Sequence, residues 1–151
     1  MIDDPLETGK ITIQDFFENG NLKSTLINDY GEANIKDVIQ LLRENISDPK
    51  DKSGKKKLNK ELNINQLRKF YDDFLRIYHS KIQENEMKIQ LLMLKSNAEY
   101  SSNRLTTKRF EIFLSNRVNI VVKKSGDEFK KYLNAFKLNF EALVGYFPKN
   151  Q

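Results

Sequence analysis

Apolar residues recur along most of this chain at steps of three and four, the period that lines up one face of a helix. Between Glu32 and Ile46 they fall at Ile35, Val38, Ile39, Leu42 and Ile46. Asp48-Pro49 ends that segment, because proline cannot donate the next backbone bond and restricts its predecessor. A second predicted helix opens at Asn63, with Gln66 three residues on in capping-box spacing. Its stripe is Leu67, Phe70, Tyr71, Phe74, Ile77 and Tyr78. A third runs from about Ile82 to Tyr100, with Ile82, Ile89, Leu92 and Met93 assigned inward. There the run Leu91–Leu94 covers more than one face, the pattern of a central bundle helix buried on two sides. A fourth is capped by Thr106 or Thr107 and carries Phe110, Phe113, Leu114, Val118 and Val121. Its β-branched cluster Val118–Val122 lowers helix propensity and leaves a short strand open. The last helix starts at Ser125-Gly-Asp-Glu128, read as a full capping box, and carries Phe129, Leu133, Phe136, Phe140, Leu143, Val144 and Phe147.

The first thirty residues are read as two short helices, Ile11 to Phe17 and Leu22 to Tyr30, split at Asn19-Gly20-Asn21. The expected fold is all-α: one compact domain of about five helices. Within it, residues 1–49 form an acidic helical segment, 50–61 a basic loop, and 62–151 the core bundle. Glycine and proline sit at the ends of the predicted elements, and there is no internal repeat.

Charge sharpens that division. Residues 1–49 hold 4 Lys/Arg against 10 Asp/Glu, residues 50–69 hold 8 against 2, and residues 70–151 hold 14 against 9. The net +5 therefore conceals a strongly basic remainder behind an acidic first third, a distribution suited to facing a polyanion. Cysteine is absent, which removes disulfides and thiolate metal sites. No run approaches the roughly 18 apolar residues of a membrane helix. Asp3, Asp4 and Glu7 stand where a signal peptide would carry positive charge. The expected setting is the cytoplasm, with no membrane partner.

Catalytic groups are thin. The single histidine, His79, shares a helix face with Asp72 and Arg76, which suggests a minimal acid/base set for RNA cleavage. An exposed helix-end histidine, favourable at the negative end of the dipole, is the plainer reading. The acid pairs Asp72-Asp73, Glu84/Glu86 and Asp127-Glu128 make poor chelates, because successive helical side chains diverge by about 100°. Ser53-Gly54-Lys55 lacks the upstream glycine and strand of a phosphate-cradling loop. The expectation is no enzyme, no metal and no cofactor.

What remains is cations on a helical frame, which is what phosphate binding requires and which carries no base code. Lys55, Lys56 and Lys57 lie in the loop before the second helix. Arg68 and Lys69 follow in its first turns, with Arg76 two turns beyond. Lys95 and Arg104 flank the end of the third helix, and Lys108 and Arg109 come next. Any single lysine is ordinarily a solvated surface charge. Most of the ten Phe and six Tyr fall on apolar stripes and belong to the core, with Tyr100 beside Arg104 as the exception.

Three blocks resemble the small subunit of the Csm complex, the type III-A CRISPR effector. They are Leu62-Asn-Ile-Asn-Gln-Leu-Arg-Lys-Phe70, Leu94-Lys95 leading to Tyr100-Ser-Ser-Asn-Arg104, and Phe136-Lys-Leu-Asn-Phe140-Glu-Ala-Leu-Val-Gly-Tyr146. The sequence departs from the family pattern at Ser102 and Gly145, where Ala is usual, and at Asn103, where Gly is usual. Asn tolerates the left-handed backbone a turn there would need. The resemblance implies a helical bundle present in several copies, forming an inner filament beside the guide RNA–target RNA duplex. It implies guide RNA, target RNA, other Csm subunits and further copies of the same chain as partners in antiviral defence. On it, Arg68, Lys95 and Arg104 become the main RNA contacts, with Lys55–Lys57 in support, and Phe140, Glu141 and Tyr146 serve core and subunit packing. Two other readings stand beside it: a helical adaptor whose basic face meets an acidic protein, and a metal-independent ribonuclease using His79.

Overall fold

The computed structural model describes residues 10–43, 62–102 and 108–149. Five helices carry most of these: α1 (Ile35–Arg43), α2 (Ile64–Tyr78), α3 (Glu84–Ser102), α4 (Lys108–Val122) and α5 (Gly126–Tyr146). Ahead of them stand two short strands, β1 (Phe17–Glu18) and β2 (Asn21–Leu22), and a 3-10 turn over Ser24–Leu26. The basic loop at 50–60, the expected helix end at Ile46 and the caps at Thr106 and Thr107 lie outside the described residues.

The α2 start forms as its sequence dictates. Asn63 Oδ1 accepts from the Gln66 backbone N–H at 2.9 Å, and Gln66 Oε1 accepts from the Asn63 N–H at 3.2 Å. The helix then buries Ile64, Leu67, Phe70, Phe74 and Ile77 on one side. On α5, Phe129, Leu133, Phe136, Phe140 and Leu143 are buried, and Phe147 caps the stripe. Phe74 joins the two helices, its ring 4.7 Å from Phe136 and 5.7 Å from Phe140. Phe70 reaches α4, 5.2 Å from Phe110. Offset and edge-on aromatic contacts of this kind add to what their buried area contributes. α3 packs along α4, α5 lies against α1, α2 and α4, and one apolar core runs through them all. The chain is a single, mostly α domain.

Three expectations change. The α3 face is rotated from the expected one: Met87, Leu91, Leu94 and Ala98 are buried, whereas Ile89, Leu92 and Met93 are 57, 43 and 55% exposed. This helix buries one side, not two. At α5, Ser125 makes no side-chain cap bond. Gly126 has φ +61°, so the first turn departs from the geometry in which a capping hydroxyl reaches the third N–H. Glu84, from the start of α3, accepts the Gly126 N–H instead, at 2.9 Å. Val118–Val122 is helical throughout, its tertiary burial outweighing a weak propensity.

The third change is at the front of the chain. The expected pair of short helices is replaced by a hairpin pairing Phe17 with Leu22 and Glu18 with Asn21. Its loop is Asn19-Gly20, both at positive φ (54° and 82°), as a two-residue type I′ turn requires. Side chains rather than a sheet dock this segment. Asn116 on α4 bonds both to the Ile13 N–H at 3.0 Å and to the Ile13 carbonyl at 2.9 Å. Asn139 on α5 donates to the Leu26 carbonyl at 2.7 Å. Phe16 is fully buried beside Tyr132 and Phe136.

Candidate nucleic-acid interface

The inward stripe of α2 leaves Asn65, Arg68, Lys69, Asp72, Arg76 and His79 on the solvent side. Arg68 and Lys69 make no ion pair among the described residues, so both charges are available to an external anion. Arg76 Nη2 is held by Asp73 Oδ1 at 2.8 Å, an exposed i,i+3 pair. His79 closes α2 as its C-terminal cap residue, its ring edge-on to Tyr78 at 5.1 Å.

Between α2 and α3 lies a cleft of about 250 Å³ bordered by Lys69 and Asp73 on one side and Asn97 and Tyr100 on the other. Phe70 contributes its floor, and Tyr100 is 64% exposed at the rim. The structure therefore brings Lys69 and Tyr100 to one opening, with a carboxylate in the same wall.

Lys95 turns the other way. Its Nζ donates to Asn119 Oδ1 on α4 at 2.8 Å and the side chain is half-buried, so it does not join the α2 cations. Lys108 is paired with Glu111 at 2.5 Å. Arg109 is not a surface cation: it is buried, and its Nη1 donates to the Leu41 carbonyl at 3.1 Å. Lys55, Lys56, Lys57 and Arg104 lie outside the described residues.

Many other lysines are engaged in covering the core. Lys131 lies 4.3 Å over the Phe17 ring, Lys124 4.6 Å over Tyr132, and Lys137 5.5 Å over Tyr78 while also meeting Glu141. Cations held over aromatic faces, with their stems along apolar surface, contribute to the fold before they contribute to any partner. Composition cannot separate these from Arg68 and Lys69; only the packing does. Among the described residues no group of three or more His, Asp or Glu could hold a metal ion.

One cation carries no signal in the sequence. Arg117 is 1% exposed, its Nε donating to Asn139 Oδ1 at 3.0 Å and its guanidinium 4.0 Å from the Phe113 ring. On the α4 stripe it occupies the position just before Val118, and nothing in its local sequence marks it as buried.

No curated protein and no solved structure matches the chain. The family model described as Csm2 Type III-A matches residues 40–149, a span that takes in all of α2 to α5 and with them the exposed α2 face and its cleft. This chain therefore belongs to the Csm2 Type III-A family, the small subunit of the type III-A Csm complex.

Proposed function

We propose that, within this CRISPR effector, the chain is a non-catalytic subunit that lies along the guide and target RNA backbone and forms an inner filament with further copies of itself. The observation that carries the reading is the exposed pair Arg68 and Lys69, free of ion pairs among the described residues, on a helix anchored by the aromatic core. A rigid helix presenting unengaged cations gives contact to phosphates with no base code, which suits a subunit serving guides of any sequence. Arg76, Lys95, Arg104 and Lys55–Lys57 complete the proposed RNA set, and Tyr100 offers a ring at the cleft rim. The setting is the cytoplasm; no helix among the described residues is long and apolar enough to cross a membrane.

The adaptor reading draws support from one feature, the exposed stripe Ile89, Leu92 and Met93 on α3. A subunit that touches both RNA and protein would use both faces. Reconstitution tests the reading: the chain is mixed with the other Csm subunits and guide RNA and the assembly is isolated. Incorporation in several copies, with the RNA left intact by this chain alone, is the expected result. Assembly at full occupancy without RNA contact, shown by the absence of crosslinks to either strand, would leave only the adaptor.

A further inference from the structure

The cavity at the junction of the N-terminal segment, α1, α4 and α5 is built unlike an ordinary packing defect. Its volume is about 140 Å³, and its polar wall is Lys10, Thr12, Lys23, Thr25, Arg117 and Asn139. Among the described residues no Asp or Glu lines it. None of its wall comes from α2 or α3, so it is separate from the cleft described above. Lys10, Thr12, Lys23 and Thr25 also precede the span that the family model matches.

Arg117 forms its floor. Nε bonds to Asn139, and Nη1 bonds to the Ile11 carbonyl and, at 2.9 Å, to Asn116 Oδ1. Nη2 makes no hydrogen bond among the described residues, and no carboxylate there pairs with this guanidinium. Burial alone draws its pKa down, to about 9, which still leaves it charged at neutral pH. A buried charge without a counter-charge is costly, and it is normally met by a partner or a ligand. Neutral carbonyl and amide oxygens hold the Arg117 plane in place but supply no compensating charge.

We propose that this cavity binds a phosphoryl group, with Arg117 as its buried anchor and Lys10 and Lys23 closing over it from the rim. Three cations, with the Thr25 hydroxyl beside them, offer more donors than a single carboxylate can accept, and they match the charge and the several oxygens of a phosphate. Among the described residues its wall holds no aromatic ring on which a base could stack, so it suits a tetrahedral oxyanion rather than a nucleobase. The group is therefore either free phosphate or the terminal phosphate of a nucleic acid whose nucleoside stays outside.

The test uses the whole chain and inorganic phosphate, with sodium chloride adjusted to hold ionic strength constant. Phosphate is expected to raise the melting temperature in a saturable manner and to shift the Arg117 Nε–H resonance. Lys23→Glu, at the rim, should melt normally without phosphate yet bind it at least about tenfold more weakly, the scale of one charge-assisted contact. Arg68→Glu should leave the phosphate response intact. A 5′-phosphorylated short RNA that moves the same resonance, where its 5′-hydroxyl twin does not, identifies a nucleic-acid end as the source. A response to inorganic phosphate alone identifies the free ion. No movement of the Arg117 resonance with either probe, or an undiminished response in Lys23→Glu, overturns the proposal.

Discussion

Glu84, in the first turn of α3, accepts the backbone N–H of Gly126, forty-two residues later, at 2.9 Å. That bond, with Lys88 at 3.1 Å alongside, holds the Glu84 carboxyl below the usual range. It ties two helix starts together and replaces the cap that Ser125 fails to supply.

Ser125→Ala should thus be nearly silent in thermal melts, although the sequence reads as a capping box. Glu84→Ala should lower the melting temperature measurably. At the true box on α2, Asn63→Ala should cost about 1 kcal/mol, the usual scale for removing an N-cap. Equal effects at Ser125 and Asn63 would show that the two starts are alike.

Asp15 and Tyr132 give the hairpin a pH window. Burial alone would raise the Asp15 pKa, but bonds from the Phe17 N–H, the Tyr132 hydroxyl and the Phe16 N–H, with the charge of Lys124, hold it below its ordinary value. Burial, then the bond to Asp15 and its negative charge, push Tyr132 up to about 12. The Asp15 contribution is full above the unfolded carboxyl pKa of about 3.8 and is lost as pH falls through the lowered folded value. The Tyr132 contribution is full below about 10 and is lost as pH rises towards about 12. Tyr132→Phe should remove the alkaline loss, at a cost near 1 kcal/mol in the neutral plateau, about the net worth of one hydrogen bond. Chemical denaturation across pH checks both limbs.

The two faces of α3 separate by mutation. Leu91→Ala removes a fully buried side chain and should cost about 2–5 kcal/mol. Ile89→Ala removes an exposed one and should change stability by no more than about 0.5 kcal/mol. Comparable losses would restore a helix buried on two sides.

These contrasts also show what was legible in the sequence. On α2 and α5 the apolar residues keep to one stripe, so periodicity located both the helix and its buried side. On α3, four consecutive apolar residues, Leu91 to Leu94, satisfy two faces equally, and only packing against α4 could decide between them. Asn19-Gly20 carried a hairpin signal in plain view, but strands of two residues leave no alternation to read. The Arg68 and Lys69 pair was legible as charge. That Lys131, Lys124 and Lys137 rest on rings, and that Arg109 and Arg117 are buried, depends on contacts between residues far apart in the chain.

The most direct test of the central claim compares single-stranded RNA binding across salt for the native chain, Arg68→Glu/Lys69→Glu, and a charge-matched control, Lys36→Glu/Lys131→Glu. The account predicts sequence-indifferent binding whose log–log salt slope becomes shallower by about 0.7 for each phosphate no longer neutralised. That change should appear in the α2 double variant and not in the control. Slopes that fall equally in both variants, or stay unchanged in the α2 variant, would contradict it.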